Sequence, residues 1–156
     1  ADLAPGERGA EMSERAVEIA RAWIGTPYVH QGSACRAGAD CLGLVREVWR
    51  GLYGTEPEAA PAYTADWGET GGGEPLLAAA LRNLVALATD APEAPGEVLL
   101  FRMRDGAVAK HLGIRAEVGE GASFVHAYDR HGVLESPLSA PWRARIAARF
   151  RWPEAG

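Results

Sequence analysis

The sequence predicts an α+β fold, with N-terminal helices packed on a C-terminal antiparallel β-sheet, on three observations. Up to about residue 88 the apolar residues recur at three- and four-residue spacing, the stripe of helices that pack on one side. From Gly96 onward the period changes to two, with short blocks of valine, leucine, isoleucine and phenylalanine between glycine-containing turns. The 156 residues, 47% hydrophobic and 24% charged, suit one domain with a single substantial core.

Ser13 can cap a first helix over residues 13 to 24, in which Ala16, Val17, Ile19, Ala20, Trp23 and Ile24 keep helical spacing until Gly25-Thr26-Pro27. Residues 1 to 12 are accordingly expected to be a flexible N-terminal extension to a domain over 13 to 156. Tyr28 to Ser33 reads as extended and leads into a glycine-containing loop, 32 to 39. That loop delivers the chain to Gly38-Ala39-Asp40-Cys41-Leu42-Gly43-Leu44-Val45, where Leu44, Val45, Val48, Trp49 and Leu52 follow Cys41 at helical spacing. A second helix therefore starts at Cys41, with Asp40 at its N-cap, and closes at Tyr53-Gly54. Residues 55 to 73, with Pro57, Pro61, Tyr63, Trp67 and Gly71-Gly72-Gly73, read as an irregular loop insertion that packs down through its aromatic residues. Pro75 starts a third helix with Leu77, Ala80, Leu81, Leu84 and Ala88 on one face, stopped by the proline-rich stretch 91 to 96.

In the second half, Val98 to Phe101 reads as a buried strand and Arg104-Asp105-Gly106 as a turn. Lys110 to Ala116 alternates His111, Gly113 and Arg115 with Leu112, Ile114 and Ala116. Ala122 to Tyr128 alternates Phe124, His126 and Tyr128 with Ser123, Val125 and Ala127. Val133-Leu134-Glu135 is a short return strand after His131-Gly132. Arg145 to Trp152 is a half-buried strand whose outer face carries Arg145, Arg149 and Arg151. Solvation is the first reading of those arginines, and contact with an acidic protein the second.

A net charge of -5, a pI near 5.4 and the lack of a basic cluster interleaved with aromatics argue against a nucleic-acid partner. No apolar run approaches the roughly 20 residues of a membrane span, so no membrane insertion is expected, and the acidic start has no signal-peptide core. Cys35 and Cys41 are too few for a disulfide scaffold or a structural zinc site and read as free thiols, Cys35 an incidental one. His126, Asp129 and His131 lie close in sequence, with His30 elsewhere. A metal hydrolase built on them leaves Cys41 unexplained, so no metal and no cofactor is expected.

A cysteine at a helix start is where a thiol becomes reactive, since the thiolate is the nucleophile and the macrodipole is positive there. The plainer alternative is a small buried cysteine in a core helix. His111 and His126, one on each of two successive strands, supply the other parts of a thiol acyl-transfer site: Cys41 attacks, His111 moves the proton, and His126 orients the ring. Strand histidines are also common as satisfied core or surface residues, and spacing alone leaves both readings open.

Five blocks then carry a family resemblance: Gly25-Thr26-Pro27-Tyr28, Asp40-Cys41-Leu42-Gly43-Leu44-Val45, Pro95-Gly96-Glu97-Val98-Leu99-Leu100-Phe101, Lys110-His111-Leu112-Gly113-Ile114 and Phe124-Val125-His126-Ala127. Over about residues 13 to 152 the chain resembles the NlpC-type cysteine peptidases. The resemblance implies a papain-like fold and cleavage of peptidoglycan stem peptides, most commonly between D-glutamate and diaminopimelate. It assigns the nucleophile to Cys41, the base to His111, the third polar residue to His126 and the site tyrosine, an oxyanion donor, to Tyr28. Leu42 stands where the commonest pattern has serine. With Pro61-Ala62-Tyr63 and Asp66-Trp67 it is similar to the subgroup encoded among tail genes of phages and gene-transfer agents. That implies tail or baseplate partners and a chain made in the bacterial cytoplasm without a signal peptide, carried by a particle to act in the periplasm or wall. A related papain-like amidase or acyltransferase, and a structural tail component with a weakly active or inactive fold, are the competing readings.

Overall fold

A computed structural model describes residues 5–29, 33–34, 38–55, 73–128 and 130–154. The helices are α1 (Pro5–Ala22), α2 (Cys41–Tyr53), α3 (Pro75–Asn83) and α4 (Ala140–Ala144). Strands β1 (Ser33–Ala34) and β2 (Gly38–Ala39) pair with each other in the loop before Cys41. The remaining strands, β3 (Val85–Ala86), β4 (Val98–Phe101), β5 (His111–Glu117), β6 (Ser123–Tyr128), β7 (Gly132–Pro137) and β8 (Ile146–Arg151), form one antiparallel sheet in the order β3-β8-β4-β5-β6-β7. The α+β architecture expected from the change of period is the one found.

Alternation divides the sheet into two faces. Leu100, Leu112, Ile114, Val125 and Phe150 meet Ala16, Val17, Ala20, Leu44 and Val48 of α1 and α2. Leu99, Phe101 and Phe124 form a second apolar cluster with Ala122 and Leu138, packed against Met103, Trp142 and Ile146. Burying a side chain of this size contributes about 1.5–3 kcal/mol. The sheet is covered on both sides, so β4 is buried at every residue and β5 at all but its last.

Several expectations are corrected. Helix α1 begins at Pro5 rather than at Ser13, so residues 5 to 12 belong to the first helix. Proline's fixed φ suits a first turn, and Met12 packs against the core. Helix α3 buries Leu76 and Ala80 and leaves Leu81 exposed, so its apolar face is rotated from the one expected. It stops before Leu84, and β-branched Val85 instead opens β3, which extends the sheet beside β8. β7 runs on to Pro137, and α4 occupies the stretch before β8, where no helix is expected; Pro141 sits in its first turn. Arg149 is not solvated: it is buried, bonding Glu97 and main-chain carbonyls. The insertion lies, apart from Thr55 and Gly73, outside the described residues.

Candidate active site

Cys41 opens α2, and the backbone around it is held by Asp40. Asp40 is extended (φ -104°, ψ -177°), and its buried carboxylate accepts the Gly43 N–H at 2.8 Å. At the other end Gly54, left-handed at φ 83°, closes the helix through an N–H bond to the Arg50 carbonyl. The capped start turns the thiol toward the main chain at the beginning of β5. Sγ lies 3.7 Å from the Lys110 carbonyl, to which it donates, and the Leu112 N–H bonds the sulfur. The thiol thus touches the backbone on both sides of His111.

This position does not favour the thiolate in the resting protein, contrary to the expectation from the helix start. Burial, and then the Asp40 charge, push the Cys41 pKa up to about 12, against the pull of main-chain N–H groups of Leu112, Leu42 and Cys41 itself. A macrodipole contributes about 0.3–1 kcal/mol, less than the roughly 1.4 kcal/mol of a single pKa unit, so desolvation wins. The carboxylate that caps the helix also opposes a second negative charge beside it.

The histidines form a line. His111 opens β5 opposite Phe101, and its Nε2 meets Nδ1 of His126 at 2.7 Å. Nε2 of His126 meets Ser136 Oγ, on β7, at 2.8 Å. Both rings are buried, at 8% and 1% exposure. Burial foremost, and then the neighbouring His126, bring the pKa of His111 down to about 3, and burial followed by the nearby His131 brings that of His126 to about 4, so both are neutral at pH 7. Phe101, Phe124, Tyr128 and Trp142 surround the pair, with the Trp142 ring 5.7 Å from His111 and 5.2 Å from His126. Gly113 keeps the neighbourhood tight: a Cβ there would lie 2.8 Å from the Phe124 ring and 3.4 Å from His126 Cβ.

Tyr28 follows a turn fastened to β7. The Gly25 N–H bonds the Val133 carbonyl at 2.9 Å, and the Val133 N–H bonds the Thr26 carbonyl at 2.8 Å. Gly132, at φ 73°, makes this approach possible, since a Cβ would fall 2.5 Å from the Thr26 oxygen. The Tyr28 side chain is half-buried against the core on the helix side of the sheet. His30, Cys35 and Asp129 lie outside the described residues, among which no three His, Cys, Asp or Glu side chains are placed to hold a metal.

With this geometry in hand, comparison with solved structures settles the fold. The chain is similar to an NlpC/P60 family protein from Bacillus cereus, at 17% identity and a TM-score of 0.61 over 90% of this chain and 40% of that one. It is similar to a lipoprotein-like NLP/P60 family protein from Staphylococcus aureus, at 19% identity and 0.60 over 99% and 44%. It also matches the NlpC/p60 domain of the peptidoglycan hydrolase SagA, at 22% identity and 0.56 over 90% and 97%. The chain has the NlpC/P60 fold. In sequence it is 28% identical, over 139 residues, to the Escherichia coli murein DD-endopeptidase MepS/murein LD-carboxypeptidase, covering 88% of this chain and 62% of that protein. No family model matches the sequence.

Within this NlpC/P60 fold, three residues at the site escape the sequence reading: Ser136, Tyr128 and Trp142. Ser136 could have been found from the hairpin register. Tyr128 pairs with Gly132 and His126 with Leu134, which puts residue 136 opposite Phe124 and diagonal to His126 on the same face. Trp142 carries no such signal, because its place depends on how α4 folds over the sheet.

Proposed function

We propose that this chain is a cysteine endopeptidase that cuts peptidoglycan stem peptides between D-glutamate and diaminopimelate. The observation that carries the reading is the line of polar groups from Ser136 through His126 to His111, ending where the capped Cys41 thiol meets the backbone on both sides of His111. The NlpC/P60 fold and the 28% identity to a murein endopeptidase support the choice of substrate.

In the reaction, Cys41 exchanges the Lys110 carbonyl for the His111 ring, and Sγ attacks the D-glutamyl carbonyl carbon as its proton passes to His111. A neutral imidazole beside a neutral thiol makes proton transfer part of the attack rather than a step before it. The Tyr28 hydroxyl and the N–H groups at the start of α2 receive the oxyanion. Collapse breaks the C–N bond, His111 protonates the diaminopimelate amine, and a water deprotonated by His111 hydrolyses the thioester. Mass spectrometry of purified peptidoglycan after digestion tests this. Fragments with a new amino terminus on diaminopimelate support it, and release of intact stem peptides from the glycan would assign the chain to the amidases. The murein relative, a DD-endopeptidase, favours a second reading, cleavage of the D,D-cross-link, which the same spectra separate by yielding uncrosslinked but complete stems.

For delivery, we propose a place in a phage-like tail. Leu42 after the nucleophile supports it, with Pro61-Ala62-Tyr63 and Asp66-Trp67, which lie outside the described residues. The protein should co-purify with tail particles, and its absence from them would end the delivery proposal while leaving the peptidase reading untouched.

A further inference from the structure

We propose that Ser136 is a positioning residue that sets the tautomer of His126, and through it that of His111, so that His111 presents an unprotonated Nδ1 to the Cys41 thiol. Its consequence for catalysis rests on the peptidase reading; its geometry does not. A neutral imidazole carries one N–H, so each contact in the line has a single donor. Only one polarity makes His111 a base. His111 Nε2–H must donate to His126 Nδ1 across 2.7 Å, and His126 Nε2–H must donate to Ser136 Oγ across 2.8 Å. In the reverse polarity Ser136 donates to His126, His126 donates from Nδ1, and His111 carries its proton on the nitrogen that has to receive the thiol's.

Two features select the productive direction. The Nε2–H tautomer is the one a neutral histidine prefers by itself, and in the productive line both rings hold it. Ser136 is half-buried on β7, so its own O–H can donate outward to water while its lone pairs meet the His126 proton. The diagonal register fixes that oxygen on the histidine face of the hairpin. The serine therefore acts two rings away from the sulfur, as an acceptor that holds a proton where the chemistry needs it.

The test combines imidazole 15N spectra at pH 7 with kinetics on Ser136→Ala and Ser136→Thr. The wild type should show the Nε2–H form at both His111 and His126. Ser136→Ala should convert part of the His126 population to Nδ1–H and lower kcat about five- to tenfold at unchanged KM, the scale of one neutral hydrogen bond. Ser136→Thr, which keeps the hydroxyl, should restore both. An Nδ1–H form of His126 in the wild type, or tautomers unmoved in Ser136→Ala, overturns the proposal. If the chain cleaves no stem peptide the peptidase reading fails alone, because the spectra of the wild type and the alanine variant still decide this one.

Discussion

Two ends of one strand face show two answers to the same burial problem. His111 and Arg115, both on β5 and separated by Gly113, point to the same side of the sheet and are both buried. His111 gives up its charge and becomes a neutral ring that can accept or donate. Arg115 cannot, since a guanidinium stays protonated in proteins. Its end of the strand is therefore built with carboxylates: Glu93 at 3.4 Å and Glu97 at 3.6 Å. Glu97 is also bonded twice by Arg149, at 2.8 and 3.0 Å, and Arg143 bonds Glu93 at 2.9 Å. The charged end is held by ion pairs, at 3.4 and 3.6 Å from Arg115, and the neutral end is a site where a proton can move. Burial by itself does not separate the two; the chemistry of the residue does.

The largest effect expected from breaking this contrast is at the charged end. Glu97→Gln keeps the shape but strands two buried guanidinium groups, and it should cost about 3–5 kcal/mol in urea unfolding while leaving turnover per folded molecule near wild type. A loss under about 1 kcal/mol would mean that Glu97 is not the counter-charge.

At the neutral end the signature is a pH dependence. Both histidines have folded pKa values below the ordinary 6.5 of a free imidazole, so the unfolded chain takes up protons that the folded one refuses. Stability is full above about 6.5 and falls as the pH drops toward 4, by up to about 1.4 kcal/mol per pH unit for each histidine. The lowered carboxylates Glu74, Glu93 and Glu135 titrate from 4.5 downward, so the window from 6.5 to 5 reads the histidine pair. His126→Gln should roughly halve the slope in that window, and an unchanged slope would place the titration elsewhere.

Between the two ends, Gly113→Ala should press a methyl group onto Phe124 and displace His126. About 1–3 kcal/mol of stability should go, together with part of the activity. Retained activity with reduced stability would show that the ring pair tolerates the shift.

The regular elements were legible where one physical signal dominated. Helix α2 could be read from the start at Cys41 to the cap at Gly54 because the apolar spacing, the Asp40 cap and the closing glycine agree. The first turns of α1 were not, since Gly6 and Gly9 weaken a helix by roughly 1 kcal/mol each against alanine and hide the pattern. Arg149 misled because alternation names a face, not what covers it, and its partners come from the 88–92 loop and Glu97. Among the candidate site residues, Cys41, His111, His126 and Tyr28 could be nominated from residue type, order and the motifs of the resemblance. The high thiol pKa could not, because it depends on burial and on the distance to Asp40, which only the folded chain fixes.

The central claim is that Cys41 is the nucleophile of a wall peptidase, and digestion of purified peptidoglycan by Cys41→Ala beside the wild type tests it most directly. The account predicts background hydrolysis by the variant, with its circular dichroism and unfolding midpoint close to wild type, because the thiol supplies the bond-forming atom and no other group replaces it. Wild-type release of stem-peptide fragments by a folded Cys41→Ala protein would contradict it.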